Sequence, residues 1–81
     1  MPKGISDSRY RRLLRRLVEA RKEMQLSQGE VAARLGRPQQ FVSRYELGGR
    51  RLDIMEYVDV ARVLDLNPIG ALEAVLKEGN A

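Results

Sequence analysis

The stretch from Leu26 to Arg51, LSQGEVAARLGRPQQFVSRYELGGRR, leaves little freedom in how the middle of this chain can fold. Ser27 is followed three residues later by Glu30, the spacing of a capping box, in which each side chain satisfies the other's backbone N–H. A helix opening there carries Val31, Ala32 and Leu35 inward and meets Gly36, whose missing Cβ allows the left-handed conformation that ends helices. Arg37 is the whole connection. Pro38 then stands where a first helical residue tolerates proline, and the next helix runs over about 38–47, stopped by Gly48. The stretch therefore reads as two short helices with a sharp turn between them.

The flanking sequence is helical too. Tyr10, Leu13, Leu14, Leu17, Val18 and Met24 recur at helical spacing over 8–24, with Ser6, Asp7 or Ser8 as the cap. Asp53 and Glu56 repeat the capping box and open a fourth helix with the stripe Ile54, Tyr57, Val58, Ala61 and Leu64. Asn67-Pro68 opens a fifth, with Ile69, Leu72, Val75 and Leu76 on its apolar side. The expectation is an all-α, compact five-helix bundle forming one domain over 1–81, with a basic N-terminal arm over about 1–7 and a frayed tail over about 78–81.

Charge is sorted along the chain. Residues 1–51 hold 13 lysines and arginines against 5 acids, and residues 52–81 hold 2 against 6. A basic half reads as a footprint for a polyanion. The chain has no cysteine and no histidine, which removes disulfides, thiolate metal sites and the commonest general base. Ser27 has no base to activate it as a nucleophile. Asp53, Glu56 and Asp59 resemble a metal cluster only on paper, since capping explains the first two. No cofactor, no metal and no catalytic residue are expected. There is no apolar run of transmembrane length and no signal-peptide pattern, so no membrane role and a cytoplasmic location are expected.

On a helical wheel of the third helix, Phe41, Val42 and Tyr45 cluster on one side. Gln39, Gln40, Ser43, Arg44 and Leu47 fall within roughly 140° on the other. Glutamine can bond adenine in two places and arginine can do the same with guanine, so this display suits base reading in a DNA major groove. A solvated polar face is the plainer reading of the glutamines alone. The adjacent turn, the arginines and the charge sorting weigh against it. Phe41 reads as core rather than a thymine-methyl contact. Arg11, Arg12, Arg15 and Arg16 surround the first helix; one or two of them are phosphate candidates, and the rest raise the field.

Leu26-Ser27-Gln28, Val31-Ala32, Gly36, Val42-Ser43, Tyr45-Glu46, Gly48 and Ala61-x-x-Leu64-x-Leu66-Asn67-Pro68 occur in family order. With them the chain resembles the helix-turn-helix domains of the phage repressor and Cro type (XRE-like, lambda-repressor-like) over about 12–76. The resemblance implies a sequence-specific double-stranded DNA-binding protein, a transcriptional repressor or regulator, with the third helix in the major groove. It implies base contacts from Gln39, Gln40 and Arg44, and a base or phosphate contact from Ser43. Gln28 would bond a phosphate and brace Gln39, with Arg37, Arg50 and Arg51 on flanking phosphates. Arg37 departs from the small polar residue more usual there. Arg21 and Glu46 would form a structural ion pair tying the first helix to the third.

Such proteins bind as homodimers, at least on DNA. Ile69, Leu72 and Leu76 on the fifth helix are dimer candidates that could equally pack inward. The nucleoid is the expected place of work. The competing reading is a protein-interaction module, such as an antitoxin half or phage accessory factor, whose DNA binding is weak or needs a protein partner.

Overall fold

Local capping decides where each helix of the computed structural model, which describes residues 7–78, begins and ends. The five helices are α1 (Ser8–Glu23), α2 (Gln28–Leu35), α3 (Gln39–Leu47), α4 (Ile54–Val63) and α5 (Pro68–Glu78). Asp7 caps α1, its Oδ1 accepting from the Arg9 N–H at 2.8 Å. Ser6, the first of the three cap candidates, and most of the expected arm and tail lie outside the described residues. Both capping boxes form. Ser27 N–H donates to Glu30 Oε1 at 2.8 Å and Glu30 N–H to Ser27 Oγ at 3.0 Å. Asp53 N–H donates to Glu56 Oε1 at 3.0 Å, and Glu56 N–H to Asp53 Oδ1 at 2.7 Å. Asn67 Oδ1 accepts from the N–H groups of Ile69 and Gly70, which opens α5.

The turn between α2 and α3 is built on Gly36, at φ 68°. Its N–H reaches Ala33 O at 3.1 Å and the Arg37 N–H reaches Ala32 O at 2.9 Å, so the last carbonyls of α2 are satisfied. Pro38 departs from expectation. It is the cap residue of α3, extended at ψ 154°, and the first helical position belongs to Gln39. Proline fixes φ near −65° in either role, so the sequence signal is one residue ambiguous. Gly48 ends α3 at φ 83°.

Helix α1 crosses the bundle and supplies Leu13, Leu14, Leu17 and Ala20 to the core. Val31 and Ala32 of α2, Phe41, Val42 and Tyr45 of α3, and Val60, Ala61 and Leu64 at α4 complete it with Leu26. Two hydroxyls tie the periphery: the Leu52 N–H donates to the Tyr10 hydroxyl at 3.0 Å, and the Tyr57 hydroxyl donates to Pro68 O at 2.5 Å. The stripes expected for α4 and α5 are corrected. Ile54 is 77% exposed, and Val60, which the stripe omitted, is fully buried. On α5 the inward residues are Ala71 and Val75, while Ile69 (72%), Leu72 (41%) and Leu76 (43%) remain exposed. With Ala71 and Val75 facing the core, the bulkier residues lie on the outer side of the helix. A stripe read from apolar spacing alone favours the bulky ones.

Candidate nucleic-acid interface

The turn presents one face of α3 to solvent. Phe41, Val42 and Tyr45 are buried under it. Gln39, Gln40 and Arg44 are exposed, Ser43 is half-buried, and Leu47 is 87% exposed. Gln39, Gln40 and Ser43 line one shallow depression. The Ser43 hydroxyl donates back to Gln40 O at 3.2 Å, leaving its lone pairs outward. The face therefore carries amide donors and acceptors, a hydroxyl and a guanidinium, with no ion pair to Arg44 among the described residues. That set can match the donor and acceptor pattern of base edges in a major groove.

This face is mounted on a partly buried ionic clamp. Glu46 lies on the inner side of α3, its side chain 7% exposed. Its Oε2 accepts from Arg21 Nε at 2.7 Å and its Oε1 from Arg21 Nη2 at 3.1 Å. Arg21 also donates to Leu26 O at 3.0 Å, so one guanidinium joins α1, the α1–α2 turn and α3. The paired geometry fixes direction as well as distance. The Glu46 carboxylate raises the Arg21 pKa further above its ordinary value.

Gln28 takes a different partner from the one the resemblance implies. Its Nε2 donates to Glu46 Oε1 at 2.8 Å, so Gln28 braces the clamp and not Gln39. A buried carboxylate is the stronger acceptor, and a third hydrogen bond offsets its desolvation. Gln39 instead lies over Gly29, with its Oε1 3.7 Å from where a Cβ there would sit.

The flanking arginines are also differently engaged. Arg50 grips Glu56 with two bonds of 2.8 Å, and Arg37 approaches the same carboxylate at 3.5 Å. Both guanidiniums lie over the Phe41 ring, at 4.6 Å for Arg37 and 4.9 Å for Arg50. The Glu56 carboxyl is held down at about 2, first by the Arg50 bonds and then by the Asp53 backbone N–H. Arg51 is exposed and in no ion pair among the described residues. On α1, Arg12, Arg15 and Arg16 line a cleft against α5 that also contains Glu19 and Glu78. Phe41 packs edge-on against Tyr45, with ring centroids 5.6 Å apart. Tyr45 is fully buried and its hydroxyl has no partner among the described residues; burial, then the Glu46 charge, raises its pKa.

Sequence reasoning missed the cluster of Arg37, Phe41, Arg50 and Glu56. The only local hint is the four-residue spacing of Arg37 and Phe41, because the capping box accounts for Glu56 in the sequence. Among the described residues no group of three or more acids is placed to hold a metal ion. No described helix is long and apolar enough to cross a membrane.

Comparison with known proteins agrees with this geometry. A family model described as helix-turn-helix matches residues 17–70. A solved structure, an XRE-family like protein from Pseudomonas syringae pv. tomato str. DC3000, is 43% identical and superposes with a TM-score of 0.87. The match covers 94% of this chain and 93% of that one. No curated protein matches.

Proposed function

The chain belongs to the XRE-like helix-turn-helix family of DNA-binding regulators, and from that premise we propose that it reads a specific double-stranded operator with α3 and acts as a transcriptional repressor or regulator. The observation that carries this is the exposed Gln39, Gln40, Ser43 and Arg44 face, set on the Arg21–Glu46–Gln28 clamp. A reading helix needs a polar display and a rigid mount, because hydrogen bonds to base edges tolerate little displacement. In this reading Gln39, Gln40 and Arg44 contact bases, and Ser43 contacts a base or a phosphate. Arg51 contacts a flanking phosphate, and Arg37 and Arg50 reach flanking phosphates in competition with Glu56; such contacts position the protein without reading sequence. Gln28 serves through the clamp, with its α2 N-terminus next to the same backbone.

The chain would bind as a homodimer on an inverted repeat, with half-sites about one helical turn apart. Exposed Ile69, Leu72 and Leu76 support a dimer surface on α5. The site of action would be the cytoplasm, on the nucleoid, and the chemistry is recognition, not catalysis. A protein-partner module is the second reading. It is favoured by Ile54 and Met55, 77% and 65% exposed in the acidic half of the chain.

The test is selection of bound duplexes from a random pool at two salt concentrations. An enriched inverted repeat with steeply salt-dependent affinity is the expected result. Salt-dependent binding with no enriched motif would refute base reading by α3 and favour the second reading.

A further inference from the structure

The two arginines that bracket α3 do not stand free. Arg50 makes paired 2.8 Å bonds to Glu56, Arg37 lies 3.5 Å from the same oxygen, and both stack on Phe41. Paired bonding of this kind is also how a guanidinium holds a phosphate. Glu56 therefore occupies the binding edge of Arg50 that a DNA phosphate would use. Its Oε1, which accepts from Arg50 Nη1, also accepts the capping bond from the Asp53 N–H, and this holds the carboxylate in place. The Glu56 side chain is 10% exposed and that of Arg50 38%, so the carboxylate is sheltered while the guanidinium still reaches solvent.

We infer that Glu56 is a positioning residue acting as an internal phosphate surrogate: it orients Arg37 and Arg50 beside α3 and tempers their attraction for the DNA backbone. This rests on the proposed DNA binding and adds to it a residue that touches no DNA. Capping alone does not require the arrangement. In a capping box the glutamate needs one backbone donor, and glutamine serves equally well. The second oxygen and the negative charge are used by the arginines. The stacking on Phe41 keeps both guanidiniums near α3 if the carboxylate lets go. Each phosphate contact contributes about 0.9 to the slope of log affinity against log salt. Glu56 thus sets how much of the binding is sequence-independent.

The test is Glu56→Gln, which keeps the cap and removes the charge. Affinity for a fixed duplex of random sequence is measured across a salt series. The substitution is made in the unaltered protein and in an Arg37→Ala/Arg50→Ala background, with a thermal melt on each variant. In the unaltered background Glu56→Gln should steepen the slope by about one unit. At low salt it should tighten binding roughly threefold or more, on the scale of one phosphate contact. In the double-alanine background it should do neither. No steepening in the unaltered background overturns the inference, and so does equal steepening in both, because the effect would then not pass through these arginines. If the unaltered protein shows no salt-dependent binding to any duplex, the DNA-binding reading and this inference fall together.

Discussion

Replacing Arg21 by methionine tests whether the clamp under α3 is energetically a buried ion pair. The substitution keeps the length and apolar stem of the side chain but removes three hydrogen bonds, two to Glu46 and one to Leu26 O. The Glu46 carboxylate, whose side chain is 7% exposed beside Arg21, then has Gln28 as its remaining partner. Stranding one member of a buried pair costs about 3–5 kcal/mol. The surviving Gln28 bond places this case near the lower end, about 3 kcal/mol. A domain of 81 residues has a total stability of about 4–12 kcal/mol, so the loss is a large fraction of it. At about 4–8 °C per kcal/mol the melting temperature should fall by about 12–24 °C. The double variant Arg21→Met/Glu46→Leu removes both charges and should be more stable than the single by more than about 1 kcal/mol. Urea titrations of the three proteins, read by far-UV circular dichroism, give the comparison. A single-variant loss below about 1 kcal/mol, typical of an exposed pair, would refute the reasoning. So would a double variant no more stable than the single.

Three further outcomes follow from the same geometry. Arg44→Ala should relax preference at one operator position and weaken specific binding by about 1–3 kcal/mol, checked by repeating the duplex selection. Tyr45→Phe should leave stability unchanged or raise it by up to about 1 kcal/mol, because it deletes a buried hydroxyl with no partner among the described residues; a urea-measured loss above about 1 kcal/mol would reveal a missed bond. The pH dependence has a definite sign. The Glu56 carboxyl lies at about 2 when folded against an ordinary 4.5, so its contribution is present above about 4.5 and is lost as pH falls toward 2. Glu56→Gln should flatten the acid limb of a stability–pH curve across that window, and an unchanged limb would show that the carboxylate is not held down.

The residues that bound the helices were legible because their partners are near in the chain. Ser27 and Glu30, Asp53 and Glu56, and Asn67 with Ile69 and Gly70 bond across two or three residues. Gly36 and Gly48 take the positive φ that ends α2 and α3. The separation of Phe41, Val42 and Tyr45 from Gln39, Gln40, Ser43 and Arg44 follows from helical periodicity alone. Helical pattern and turn chemistry thus determined the all-α order and the polar display.

Tertiary structure decided which groups meet. The resemblance pairs Gln28 with Gln39, whereas in the fold its Nε2 donates to the Glu46 carboxylate. Arg50 became the partner of Glu56 only because the loop after α3 returns it to the start of α4, above Phe41. The facing of α5 was likewise decided only by packing, with Ala71 and Val75 inward and Ile69, Leu72 and Leu76 outward. Spacing along one helix carries no information about such choices. They depend on the relative placement of helices and on several polar groups competing for one desolvated charge.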